Sequence, residues 1–411
     1  MTTTQHKPRV AVDIGSTVVK MARLADDDSV SEQIFVPRDF DAGIAAQVSE
    51  LLRGVEHHNV IMCSSANGGL RVGVLCLSEP FSGAALRNQV LLAGANPVFV
   101  RAFDDPPQSK TRVDLLVIGG GIDCEDAQPL RDRLRALDLS AYEYGAVVYA
   151  GNRFAAEELR PCTVPIHCVE NPLHSDVRSQ CNSVFEAIRD AYLDDLVHKD
   201  GIADLPVSLT RRIRPTPEVV NRGFQRVISN RSSIVVPGAA VVMDIGGATT
   251  DLHYTVEIVR DDSEDRPNPG ASVARYVFTD LGIVVSADST LMQMRSHPRI
   301  YEFLSVVLGR DVRETYRALR EGELTADPEL LAYGCLFLAF DRFGAGRGPG
   351  LPSVNLARIG HIILTGGAAQ TLDIGIAAEL LALFDGNEVV RPVLIRDNDY
   401  QLWVDGITFD V

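Results

Sequence analysis

Two stretches of this chain carry the same chemical device. Val10-Ala11-Val12-Asp13-Ile14-Gly15-Ser16-Thr17 and Val241-Val242-Met243-Asp244-Ile245-Gly246-Gly247-Ala248-Thr249-Thr250 each run an apolar strand into an aspartate. A tight turn of glycine and hydroxyl residues follows, and then a second strand. Glycine admits positive φ and lets backbone approach an anion closely. The N–H groups of Gly15, Gly246, Gly247 and Ala248, with the hydroxyls of Ser16, Thr17, Thr249 and Thr250, can then donate to phosphate oxygens. Asp13 and Asp244 stand where they would hold hydrated Mg²⁺ through water. One copy alone is a common strand-end turn, whereas two facing copies would grip a polyphosphate from both sides.

A third element adds to the pair. Ile362-Ile363-Leu364-Thr365-Gly366-Gly367-Ala368 sets two glycines between a buried strand and a helix, where backbone can lie against a flat base or ribose. Lys20, one of only four lysines, follows the first turn. Asp251 is a candidate catalytic base near a terminal phosphate, and strand-end hydrogen bonding is the equal alternative.

Other motifs fail on spacing. No GxxxxGK[ST] occurs, which excludes a P-loop. Gly119-Gly120-Gly121 follows a strand without GxGxxG spacing and reads as a loop at the carboxyl edge of a sheet. Asp251-Leu252-His253 has Val256 where a cobalamin-binding motif needs glycine, so His253 reads as a partly exposed strand histidine. His57-His58 and His167-Cys168 have no companions at ligand spacing. The seven cysteines form no CxxC pair, which predicts reduced thiols and a cytoplasmic setting.

The elements that must position these residues follow from patterning. Residues 9–24 and 239–258 read as hairpins, with strands at Ile34–Val36 and Val60–Cys63 and a helix over Ile44–Leu52. Between residues 70 and 150, four short apolar strands alternate with helices near 82–93 and 127–137, the pattern of a doubly wound parallel sheet. Residues 171–230 read as mostly helical, with Thr216 as a cap and Pro217 at the first helical position. Helices are expected over Asp280–Met294 and Pro328–Phe343. The division expected is 1–69 for the first part of lobe I, 70–230 for an inserted α/β domain with a helical extension, and 231–411 for the remaining core with lobe II.

Composition bounds the partners. The chain has 411 residues, 46% of them hydrophobic, ample for a core without metal or disulfide support. Its net charge of −16 argues against nucleic acid and anionic membrane as partners. The longest uncharged apolar run, Leu330–Phe340 after Glu329, falls short of the ~20 residues that span a bilayer.

As an ordered set, the two hairpins and the Gly366-Gly367 turn resemble the actin/Hsp70/sugar-kinase superfamily. The resemblance implies a two-lobed ATPase fold of duplicated ribonuclease H-like lobes. The hairpins would be its phosphate-1 and phosphate-2 loops, and the glycine turn its adenosine loop. Asp280-Leu281-Gly282 and the small residues around Ala332 and Gly334 would fit connecting helices crossing at the hinge. Ala248 departs from the third glycine of the Hsp70 version.

Further stretches are similar to the MutL proteins encoded with glutamate mutase. These are Cys63-Ser64-Ser65-Ala66 with Gly68-Gly69-Leu70, Ala93-Gly94-Ala95, Val117–Asp123, Val148–Asn152, Leu196-Val197-His198, Pro215-Thr216-Pro217 and Asp244–His253. Cys63 and Asn67 depart from the small residues usual there. That resemblance implies ATP and Mg²⁺ as cofactors, slow ATPase activity accessory to a mutase, and adenosylcobalamin-dependent mutase subunits as partners. A homo-oligomer is compatible with it. The implied role is reactivation or chaperoning of the mutase, with the inserted domain free to contact it. The rival readings are a small-molecule kinase of the same superfamily and an actin-like scaffold.

Overall fold

The computed structural model describes residues 10–25, 29–65, 69–105, 107, 109–159, 164–173, 183–198, 201–263, 271–309, 312–325, 327–348, 351–384 and 392–408. Ala66, Asn67 and Gly68 of the family-like stretch, and Cys162 and Cys181 among the seven cysteines, lie outside the described residues.

The chain begins with strands β1 (Val10–Ile14), β2 (Val18–Leu24) and β3 (Val30–Pro37), helix α1 (Gly43–Leu51) and strand β4 (Val60–Ser64). Next come β5 (Arg71–Cys76), α2 (Ala84–Leu92), β6 (Asn96–Ala102), β7 (Thr111–Arg112), β8 (Leu115–Gly119) and α3 (Gln128–Ala136). After these lie β9 (Tyr142–Glu143), β10 (Ala146–Tyr149), β11 (Ile166–Cys168), α4 (Ser183–His198), α5 (Val207–Thr210), β12 (Ile213–Pro215) and α6 (Thr216–Ile228). The last part holds β13 (Ala240–Ile245), β14 (Thr250–Thr255), β15 (Val273–Phe278), α7 (Ala287–Ser296), α8 (Ile300–Leu308), α9 (Arg313–Glu321) and α10 (Pro328–Ala345). It closes with β16 (His361–Thr365), α11 (Ile374–Ala382), β17 (Val393–Arg396) and α12 (Gln401–Ile407).

Two of the sheets repeat one topology. Their orders are β12-β4-β1-β2-β3 and β15-β14-β13-β16-β17. In each, an antiparallel meander of three strands is extended beside its first strand by two parallel strands. The register pairs Asp13 with Lys20 across the first hairpin and Asp244 with Asp251 across the second. Strands β1 and β4 are buried along their whole length and carry the near-continuous apolar runs of strands covered on both faces. These duplicated sheets are the two lobes of an actin/Hsp70-like fold.

A third sheet, β11-β10-β8-β5-β6, is parallel throughout and lies between β4 and α4 in sequence. Late in the 70–230 block, β12 pairs with β4 in the first lobe's sheet, and α6 follows it directly. The inserted sheet is itself not free-standing. One continuous apolar core joins Val12, Ile14 and Met62 of the first lobe to Val72, Val74, Leu86 and Val117 of the insert.

Helix α10 shows how the second lobe is held. Asp327 caps its start by accepting from Glu329 N–H, Pro328 occupies the first turn, and Gly346 ends it with φ +61°. The apolar run Leu330–Phe340 is buried in the second lobe's core, where each large side chain contributes about 1.5–3 kcal/mol of transfer free energy. Among the described residues no helix is long and apolar enough to cross a membrane.

Gly334 packs against Met294 of α7 inside the second lobe, and residues 280–286 form no helix. Helices α6 and α12 cross with their backbones in contact. A Cβ on Gly223 would stand 1.9 Å from the Leu402 carbonyl oxygen, and one on Gly406 would stand 1.8 Å from that of Val219. The two contacts are mirror images: each glycine follows, by one helical turn, the residue whose carbonyl meets the other glycine. The expected helix over Asp280–Met294 starts only at Ala287, because Gly282 is pressed against the second turn, with 2.7 Å left between its Cβ position and the Gly247 carbonyl oxygen.

Candidate functional site

The two hairpin turns close alike. Gly15 N–H donates to the Val18 carbonyl at 3.0 Å, and Gly246 N–H donates to the Thr249 carbonyl at 2.9 Å. Those two donors are thereby consumed. The N–H groups of Ser16, Thr17, Gly247 and Ala248 donate to no backbone carbonyl of the described residues and remain for a ligand. The turns meet directly: a Cβ on Gly247 would lie 2.5 Å from Thr17 Cγ2 and 2.9 Å from Ser16 Oγ. The lobes are closed on one another at this point.

Both oxygens of the Asp13 carboxylate are engaged. Lys20 Nζ pairs with its Oδ2 at 2.8 Å, while Thr216 Oγ1 donates to Oδ1 at 2.6 Å and Cys63 Sγ to the same oxygen at 3.3 Å. Thr216 thus does not cap α6, since its hydroxyl reaches into the first lobe's sheet instead. Burial alone would depress the Lys20 ammonium, but the Asp13 and Asp244 carboxylates outweigh it and hold its pKa above the ordinary lysine value. Lys20 also lies 4.5 Å from the centroid of the Tyr400 ring, a cation–π contact between lobes. Burial, chiefly, and then Asp13 raise the Cys63 thiol well above its usual range, so it stays protonated as a donor.

Asp244 is differently placed. No hydrogen bond to its carboxylate joins it to another described residue. Burial pushes its pKa up to about 7, with Lys20 opposing and Asp251 and Asp13 reinforcing the shift. Gly366, at φ +88°, lies against it, and a Cβ there would come within 2.2 Å of Asp244 Oδ1. Gly367 backs onto Thr17, with Oγ1 3.3 Å from its Cβ position. The glycine turn is thus packed on both phosphate-type turns in this closed form, rather than presenting an open face.

The second hairpin reaches the inserted sheet through one arginine. Arg275 of β15 pairs with Asp251 through Nε at 2.8 Å and through its second terminal nitrogen. The remaining terminal nitrogen donates to the carbonyls of Leu91 at 2.9 Å and Ala95 at 3.2 Å, at the end of α2. Thr249 Oγ1 donates to the other Asp251 oxygen at 3.1 Å. Both oxygens of Asp251 are engaged, which suits a strand-end anchor and leaves little for a general base. Thr250 is buried, and its hydroxyl donates to the Leu281 carbonyl at 3.2 Å, away from the turn.

His253 is fully buried, contrary to the exposed strand position expected, because α6 covers it; its Nδ1 lies 3.2 Å from Asn221 Oδ1. Burial and then Arg275 hold it well below the ordinary imidazole pKa, hence neutral. The Gly119-Gly120-Gly121 loop is filled from within, since a Cβ on Gly120 would stand 2.5 Å from Leu77 Cβ.

A cleft of about 480 Å³, its open mouth included, runs from the turns toward the insert. Ser16, Asp244, Gly246, Ala248, Thr249 and Asp251 line it from the hairpins. Ser65, Asn96, Tyr192, Thr216 and Arg275 line its other walls. Thr216 and Gly94 had stood out only within motif stretches, and Arg275 carried no local signal.

Duplicated lobes meeting at paired aspartate–glycine hairpins define a protein of the two-lobed actin/Hsp70-like fold. The MutL protein family model matches residues 9–404, and the chain belongs to that family. It is 24% identical over 265 residues to Protein MutL of Clostridium tetanomorphum, covering 59% of this chain and 55% of that protein. The chain thus spans about half the length of this curated relative. Among solved structures it is similar to component A of the (R)-2-hydroxyglutaryl-CoA dehydratase of Acidaminococcus fermentans, at 10% identity, 98% and 97% coverage and a TM-score of 0.36. The activator of the 2-hydroxyisocaproyl-CoA dehydratase of Clostridium difficile, solved with ADPNP, matches at 10% identity, 97% and 92% coverage and a TM-score of 0.32. A nucleotide-free acetone carboxylase matches at 12% identity, 98% and 70% coverage and a TM-score of 0.42.

Proposed function

We propose that this protein binds Mg-ATP between its lobes and reactivates or chaperones an adenosylcobalamin-dependent carbon-skeleton mutase of the glutamate mutase kind. The observation that carries the nucleotide half is the pair of like turns whose N–H groups at Ser16, Thr17, Gly247 and Ala248 are left for a ligand where the lobes meet. Membership of the MutL family supports the mutase half. A cytoplasmic location belongs to the same reading.

The donor set fits a hydrated Mg²⁺ on one side of the cleft. Asp244 offers a carboxylate without a hydrogen-bond partner among the described residues, while Asp13 is neutralised by Lys20 and acts from behind it. No group of three or more His, Cys, Asp or Glu side chains among the described residues could hold a metal alone, so phosphate and water would complete its shell. The bound ion would shield phosphate charge. The turns would bind the phosphates, Lys20 and Thr249 would orient them, and Gly366 and Gly367 would border the nucleoside. Asp251 would fix Thr249 and Arg275. The engagement of Asp251 by Arg275 and Thr249 weighs against the kinase alternative, which needs a free base.

Isothermal calorimetry with ATP, with and without Mg²⁺, tests the site. Binding that requires Mg²⁺ and weakens at least tenfold in Asp244→Asn is expected. Equal affinity in the variant would remove Asp244 from the site.

A further inference from the structure

Ser286 occupies the N-cap position of α7, where a serine hydroxyl ordinarily accepts from the first free N–H groups of the helix. Here it makes no such bond. Its Oγ lies 2.6 Å from the Ala248 carbonyl oxygen and 3.1 Å from that of Thr279, and the single hydroxyl hydrogen serves the nearer one. The hydroxyl thus reaches the second hairpin turn at the expense of a helix cap.

The backbone just before Ser286 grips the same turn. Ile283 N–H donates to the Gly246 carbonyl at 3.2 Å, and the N–H groups of Val284 and Val285 both donate to the Gly247 carbonyl at 2.8 Å. Three successive carbonyls of the turn are therefore held by residues 283–286. Thr290, fully buried in α7, fixes this segment in turn: its hydroxyl accepts from Gly282 N–H at 3.0 Å and lies 3.0 Å from the Ser286 carbonyl oxygen.

A trans peptide is planar and points its C=O and N–H in opposite directions. No cis peptide occurs among the described residues. Holding the carbonyls of Gly246, Gly247 and Ala248 therefore turns the N–H groups of Gly247, Ala248 and Thr249 away from residues 283–286. None of these three N–H groups donates to a backbone carbonyl of the described residues. Gly246, Ala248 and Thr249 border the cleft, whereas residues 283–286 do not. Successive unengaged N–H groups of this kind make an anion-binding concavity.

We infer that Ser286 is a positioning residue of the second hairpin turn: by holding the Ala248 carbonyl, it aims Thr249 N–H at a phosphate oxygen of the bound nucleotide. The inference rests on the nucleotide reading above and adds how the turn is kept in its binding shape before a ligand arrives. Of the donors to these three carbonyls, Ser286 is the one that acts through its side chain, so substitution can remove it without breaking backbone bonds.

Calorimetric titration of the full chain with ATP and Mg²⁺ tests this in the wild type, in Ser286→Ala and in Ser286→Thr. Slackening one of three N–H bonds to a charged acceptor corresponds to about a three- to tenfold change in affinity. Ser286→Ala is expected to lose that much, and Ser286→Thr, which keeps the hydroxyl, to stay within about twofold of the wild type. Because no helix cap is lost, the unliganded thermal midpoint of Ser286→Ala should fall by no more than about 4 °C. Unchanged ATP affinity in Ser286→Ala, a loss that Ser286→Thr shares, or a larger fall of the midpoint would each overturn the inference while leaving the nucleotide site standing. Failure of the wild type to bind ATP would instead overturn the nucleotide reading itself, and the inference with it.

Discussion

Thr216 Oγ1 donates to Asp13 Oδ1 across 2.6 Å, although 203 positions separate the two residues. The bond links the start of α6 to the end of β1, and it holds one oxygen of Asp13 while Lys20 holds the other. Removing the hydroxyl in Thr216→Val leaves an acceptor short of a charge-assisted bond in a buried site. Stability should fall by about 1.5–3 kcal/mol, read from urea unfolding. Thr216→Ser should recover most of it. An unchanged midpoint in Thr216→Val would mean that Lys20 alone orients Asp13.

The raised pKa of Asp244 predicts a pH dependence with a definite sign. Its folded value of about 7 lies above the ordinary 3.8, so the folded state holds a proton that the unfolded chain has released. That contribution to stability is complete below about pH 4, declines as pH rises, and is lost above about pH 7. Asp244→Asn should flatten this part of the pH–stability profile. Mg²⁺ favours the ionised carboxylate, so Mg-ATP binding should release close to one proton near pH 6, measurable from the buffer dependence of the binding heat. Proton uptake on binding would contradict the assignment.

Arg275 ties Asp251 of the second hairpin to the carbonyls that end α2. Removing one partner of a buried pair strands the other charge, at a cost of about 3–5 kcal/mol. Arg275→Gln should therefore unfold at markedly lower denaturant. It should also speed hydrogen exchange in residues 84–102, where the insert is docked, more than in α10. Equal acceleration everywhere would show that the arginine supports the whole fold and does not specifically dock the insert.

The crossing of α6 and α12 tolerates no side chain at its two contact points. Gly223→Ala and Gly406→Ala each drive a methyl group into backbone less than 2 Å away, which only separation of the helices can relieve. Overpacking of this kind costs about 1–3 kcal/mol or more. Each variant should lose that much stability, and the double variant should lose less than the sum, because one separation serves both sites. Strict additivity would mean that the two contacts are independent.

Much of this was legible in the sequence, and the reasons for the rest are physical. The hairpins at Asp13 and Asp244 and the turn at Gly366 announce themselves because strand, turn and glycine are local signals. The duplicated lobes followed only from the superfamily resemblance, and the repeated sheet order, with β12 beside β4 and β17 beside β16, is visible only in the structure. What escaped were relations between distant residues. Arg275 reads as an ordinary strand residue, and only the fold brings it to the end of α2. Thr216 has the sequence of a helix cap, but tertiary contact with Asp13 outbids the local role. His253 alternates like an exposed strand residue until α6 covers it. The glycines of the α6–α12 crossing, Gly223 and Gly406, lie inside helices, where a glycine carries no sign of what it approaches.

The central claim is that nucleotide state controls rescue of a stalled mutase, and turnover after inactivation measures it most directly. An adenosylcobalamin-dependent mutase of the glutamate mutase kind, inactivated with damaged cobalamin still bound, is given this protein, Mg²⁺ and fresh adenosylcobalamin. ATP, ADP or a non-hydrolysable analogue is then added. A ligand with equal affinity for two states shifts neither, so ATP and ADP must differ in effect. Recovery of turnover with ATP, little with ADP, and impaired recovery in Thr249→Val is the predicted result. Equal recovery without nucleotide, or none with the mutase partner present, would contradict the account.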